Sequence, residues 1–189
     1  MLSGIAFLLL MAAEPPANPA CFPWLVEKDA LVNLATAASA AELRARFKTM
    51  IAPDRITNLF YAVCLAELEP GKSSDLQVIS AIPSAELDLD VMYSFSDPNC
   101  DVPKKIAQFG GGGWLESAKQ AVVRQARGLH EFLMLAWLYR SNAEIGELLP
   151  GYIDEIRRRR PREFDEAFRN LPQEVRKEIE EGRMLLPAE

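Results

Sequence analysis

From Leu25 onward, apolar side chains recur at intervals of three and four residues, the period of a helix face rather than of a strand. Leu25 to Thr36 is the first such run. Ser39 is placed to cap a second helix, with Glu42 three residues on completing the capping-box pattern and Leu43, Phe47, Met50 and Ile51 forming the apolar face up to Pro53. A third helix starts near Asp54 and puts Ile56, Leu59, Phe60, Val63, Cys64 and Leu68 on one stripe, stopped by Pro70-Gly71. Ser74 to Ile82 reads as a further short helix. From Pro83-Ser84, the spacing of Leu87, Val91, Met92 and Phe95 suggests another, although the alternation from Glu86 to Val91 also suits a strand.

After the turn at Ser96-Asp97-Pro98-Asn99 and the four glycines Gly110 to Gly113 comes the most regular stretch, Trp114 to Tyr139. Leu115, Ala118, Val122, Ala126, Leu129, Leu133, Ala136 and Trp137 share one stripe, and Phe132, Met134, Leu135 and Leu138 widen it. A helix apolar on nearly all sides belongs at the centre of a fold. Beyond it, Pro150, Pro161 and Pro172 stand eleven residues apart, with Ile153, Phe164 and Val175 three residues after each. Proline is tolerated in a helix's first turn and breaks its interior, which predicts three short helices near 151–159, 161–170 and 172–182. The expected fold class is therefore all-α: an irregular helical bundle around a long central helix near 114–139, with a tail of short proline-punctuated helices. Residues 25–189 make its single domain.

The first residues differ in kind. Met1 to Ala13 carry no charged side chain, and Ile5 to Met11 form an apolar run of a signal peptide's length, too short for a spanning helix. Residues 1–13 are therefore expected to be a cleaved signal peptide, leaving Glu14 as the mature N-terminus, and residues 14–24 a proline-rich leader. The n-region has no Lys or Arg, so a buried N-terminal helix and an uncleaved anchor remain as alternatives. Cys21 lacks the upstream aliphatic residue of a lipid-attachment cysteine. The expected location is outside the cytoplasm, periplasmic or secreted, with no stable membrane insertion after processing.

The 189 residues are the size of one domain, and 49% hydrophobic content supports a real core. A net charge of −6 argues against nucleic acid as a partner, since phosphate neutralisation needs a basic face. Three cysteines, Cys21, Cys64 and Cys100, are too few and too far apart for a zinc module. In an oxidising compartment they allow one disulfide in three pairings. Cys64 with Cys100 is preferred, the other reading being that Cys64 is a small core residue.

The sequence names no reaction. Gly110 to Gly113 before a helix could present amides to an anion, but Trp114-Leu115-Glu116 stands where a phosphate loop needs Gly-Lys-Ser/Thr, and a hinge between helical layers is the simpler reading. Glu116-Ser117 at a helix start resembles the catalytic Glu-Ser pair of lytic transglycosylases, which implies an acid role for Glu116. That resemblance covers two residues, and the family's following Gly-rich Met-Gln segment is missing. His130 is the only histidine, so any Ser-His or Cys-His arrangement must run through it.

Glu86, Asp88, Asp90, Asp97 and Asp101 form an acidic stretch without the calcium-loop pattern. Arg157, Arg158, Arg159, Arg160 and Arg162 form a basic one, offset by acids nearby, and are the expected surface for a protein partner. No cofactor and no metal is expected. The expectation for function is an exported helical interaction or structural module. A cell-envelope hydrolase using Glu116 or His130, or a toxin-neutralising immunity protein, stands as the alternative.

Overall fold

The computed structural model describes residues 28–85, 87 and 102–181. Among these residues the fold is an all-α bundle without strands. Its helices are α1 (Lys28–Ala35), α2 (Ala40–Lys48), α3 (Arg55–Leu68), α4 (Lys72–Ser80), α5 (Lys104–Gln108), α6 (Trp114–Gln125), α7 (Leu129–Leu138), α8 (Ala143–Arg159), α9 (Pro161–Arg169) and α10 (Gln173–Glu180). A kinked link, Phe109–Gly113, with non-helical backbone at Gly111 and Gly112, joins α5 to α6. The proposed signal and leader, Cys21, most of the helix or strand around 84–95, the turn at 96–99, Cys100 and all five residues of the acidic stretch lie outside the described residues.

Local chemistry sets the helix starts. The Ser39 hydroxyl accepts the Glu42 N–H at 3.2 Å, while the Glu42 carboxylate reaches back to the Ala38 N–H at 2.9 Å, one residue earlier than the usual box. Asp54 accepts the Thr57 N–H at 2.6 Å, and Asn142 accepts the Ile145 N–H at 2.9 Å. Thr49 closes α2, its hydroxyl donating to the Arg46 carbonyl at 2.7 Å. Ile51, expected on the apolar face of that helix, therefore falls outside the helical register and is 94% exposed.

α6 lies against α3 and α4 on one side and α8 on another, whereas α9 and α10 pack on α7. Leu115, Ala118, Val122, Phe132, Leu133, Leu135 and Ala136 are fully buried along this pair, as the stripe predicts. Burial of each large apolar side chain contributes about 1.5–3 kcal/mol. Trp114 meets Tyr139 edge to face at 6.2 Å, and the Tyr139 hydroxyl accepts the buried Leu87 N–H at 3.2 Å.

The stretch expected as one central helix is divided. Ala126 and Gly128 adopt left-handed backbone (φ 51° and 72°), so α6 ends and α7 begins within three residues. A Cβ on Gly128 would come within 2.4 Å of Ile79 Cγ2, so the break lets the chain pass close to α4. The tail differs as well. Ile153, Phe164 and Val175 are all buried, matching the repeat, but Pro150 sits inside α8 rather than at its start. The Asn142 cap begins that helix eight residues earlier, and Pro150 only forfeits the bond its N–H would have made to the Gly146 carbonyl.

Candidate functional site

The residues with the richest chemistry are gathered at the α6–α8 interface. Lys119, 4% exposed, places its ammonium 2.6 Å from Glu155 Oε2 and 2.9 Å from Glu116 Oε1, with the Tyr152 ring centroid 4.9 Å away. Gln120 donates to Glu116 at 2.7 Å, and Arg159 pairs with Glu155 at 2.9 Å. Burial pushes the Glu116 carboxyl up, but hydrogen bonds from Gln120 and Lys119 outweigh it and hold the group below the ordinary glutamate range. Burial likewise works against the Lys119 charge, and the bonds from its ammonium to Glu155 and Glu116 overcome it, leaving its pKa raised. Tyr152 is raised by burial first and by the Glu116 charge second. An acid catalyst needs a carboxyl kept protonated by its surroundings, and Glu116 is held in the opposite state.

A second cluster joins α4 to α6. Asp75, 1% exposed, accepts from Arg124 Nε at 2.9 Å and Nη2 at 2.5 Å, and from Gln125 at 2.7 Å. Desolvation raises its carboxyl, but the Arg124 and Gln125 bonds more than offset this and leave it lowered.

The other expected residues scatter. Ser117 donates to the Gly113 carbonyl at 3.1 Å, and His130 is exposed in the first turn of α7. Among the described residues neither is hydrogen-bonded or ion-paired to Glu116. In the glycine run, Gly112 is left-handed (φ 90°), and a Cβ on Gly113 would stand 2.6 Å from the Gln108 carbonyl; close packing of the link accounts for the glycines there. Cys64 is buried, which pushes its thiol up to about 12.

The arginine run divides by role. Arg160 is half-buried and donates to the Val123 carbonyl at 2.6 Å and the Arg124 carbonyl at 3.3 Å, capping the C-terminus of α6. Arg157 lies 5.6 Å from the Phe164 ring, and Arg158 donates to the Asp154 carbonyl at 3.3 Å. Arg158 and Arg162 face solvent. Within the partner surface expected from the sequence, Arg160 is thus a structural staple, and Arg159 is tied to Glu155.

Sequence reasoning missed a groove of about 400 Å³ between α2, α3 and the end of α4. Its exposed rim is Arg55 and Asn58 on one side and Ser80 and Ser84 on the other, over a floor that includes Ala62, Ile82, Pro83 and Leu87. Phe47 and Tyr61 stack along the wall at 3.8 Å and 11°. Gln77 contributes to the lining, its Oε1 closed off from solvent, and among the described residues neither that oxygen nor the Arg55 guanidinium has a hydrogen-bond or ion-pair partner. Asn58 commits its amide nitrogen to the Pro53 and Asp54 carbonyls, at 2.9 and 2.7 Å. Of its lining, the sequence pattern had singled out Phe47, Ile82, Pro83, Ser84 and Leu87; nothing in the chain announces Gln77.

Among the described residues, no group of three or more His, Cys, Asp or Glu side chains is placed to hold a metal ion, and no helix is long and apolar enough to cross a membrane. No protein-family model, curated protein or solved structure matches the chain.

Proposed function

We propose that this chain is an exported helical interaction module that holds a protein partner in the groove between α2, α3 and α4. The observation supporting this reading is the groove's lining: stacked aromatic rings, amides, hydroxyls and a guanidinium, which recognise by shape and hydrogen bond. The carboxylates and the lysine that could have done acid–base work pair with one another at the α6–α8 interface instead. Export rests on the uncharged apolar run before Glu14.

A photoreactive amino acid at Ser80, on the groove rim, should give one discrete cross-linked product in the envelope fraction of the native cells. The same residue at Lys177, exposed on α10, should give none. N-terminal sequencing of the recovered chain should begin at Glu14. A chain that retains Met1 in the cytoplasmic fraction would contradict export. Cross-linking from Arg162 and not from Ser80 would move the binding face to the arginines.

A further inference from the structure

We infer that α10 is a displaceable strap, which lifts from α7 while the rest of the bundle stays folded and in lifting uncovers an apolar face. This goes beyond the interaction-module reading and does not depend on the groove. α9 and α10 both lie on α7 but are fastened differently. α9 buries Phe164, stacks it on Phe168 at 5.7 Å and brings it within 5.6 Å of the Arg157 guanidinium. α10 buries Val175 alone, with Ile179 one turn on only half-covered.

Nothing polar adds to that hold. α10 has no side-chain cap at its start, and Lys177 pairs with Glu181 at 3.7 Å along its own helix. Among the described residues, no side chain from 173 to 180 is hydrogen-bonded or ion-paired to another helix. Arg176 works against docking, since its Nε is buried without a partner and regains water when the helix lifts. A helix of eight residues is not stable alone, so α10 folds and docks together, on little more than Val175.

The junction permits the movement. α9 closes on its own carbonyls, the Asn170 N–H donating to Ala167 at 3.1 Å and the Leu171 N–H to Phe168 at 3.2 Å, and Leu171 is itself buried. Pro172 follows in extended backbone (ψ 148°) and has no N–H to carry that ladder onward. Rotation there moves α10 without drawing α9 after it. Beneath lies α7, whose Leu129, Phe132, Leu133, Leu135 and Ala136 are all buried.

Val175→Cys in the full chain tests the inference. A thiol reagent should modify position 175 of the folded protein at least about 100-fold faster than Cys64, buried in α3, each rate being taken relative to the same site in concentrated urea. Hydrogen exchange of the wild type should show α10 amides less protected than those of α6 and α7 by a similar factor. Val175→Ala should speed α10 exchange about 10-fold and leave α6 and α7 unchanged, whereas Arg176→Met should slow it.

Equal protection of α10 and α7 in the wild type, or a position 175 as closed to the reagent as Cys64, would overturn the inference. So would a Val175→Ala effect shared by α6 and α7, which would make α10 an integral part of the core. Faster α10 exchange in Arg176→Met would make that guanidinium a fastening and would contradict it as well.

Discussion

The α6 interfaces and the α3–α4 groove treat polar side chains in opposite ways. At the interfaces, Lys119 and Asp75 are almost fully buried, and each is met by charged and hydrogen-bonding partners drawn from a second helix. In the groove, a buried carbonyl oxygen and a rim cation have none among the described residues. Buried charge is tolerated only when paired, so the first pattern is what a folded core requires. A buried acceptor left without a donor costs stability and contributes nothing to holding the helices together. The most chemically suggestive residues therefore serve architecture, and among the described residues the plainer groove is lined by side chains without partners.

Substitutions sharpen this contrast. The largest effect is expected from Arg124→Ala, which strands the buried Asp75 carboxylate and should cost about 3 kcal/mol in denaturant unfolding. Its pH dependence has a definite sign. The folded Asp75 carboxyl is lowered, so its contribution is present above the ordinary aspartate value of about 3.9 and is lost as pH falls through the folded value. The deficit of Arg124→Ala relative to the wild type should accordingly grow as pH rises from about 3 to 7.

Lys119→Met should cost less, about 2 kcal/mol, because Glu116 and Glu155 are exposed enough to regain water. Lys119 is raised, so its contribution is present below the ordinary lysine value of about 10.4 and is lost as pH climbs through the folded value; the deficit should shrink in strongly alkaline buffer. Glu116→Gln should cost no more than about 1 kcal/mol, since its side chain is 44% exposed. A hydrolase would instead lose turnover with this change. Arg55→Glu, at the rim, should stay within about 0.5 kcal/mol of the wild type in the same unfolding assay.

Much of the fold was legible because its signals are local. The Ser39–Glu42 cap, the Asp54 cap, the α3 stripe and the buried Ile153, Phe164 and Val175 each depend on residues within one or two helical turns of one another. What escaped the sequence depends on distant partners. Gly128 breaks the central stretch where the chain passes Ile79, 49 residues earlier in sequence. Lys119 reads as an ordinary solvent-facing lysine until Glu155 arrives from α8. Arg160 looks like one of a run of surface charges, and only the approach of α6 makes it a cap. Asn142 was a local signal that the proline spacing overshadowed. Gln77 had no signal, because the burial of its carbonyl oxygen is set by tertiary packing.

The most direct measurement is the thermal unfolding of Gln77→Leu beside the wild type. The buried carbonyl oxygen has no donor among the described residues, so replacing it with an apolar group of similar size removes a desolvated acceptor, and the protein should gain on the order of 1 kcal/mol, a rise of a few degrees in Tm. A fall in Tm of similar size would mean that Gln77 holds the fold together as Lys119 and Asp75 do, and would contradict the contrast between paired and unpaired buried groups.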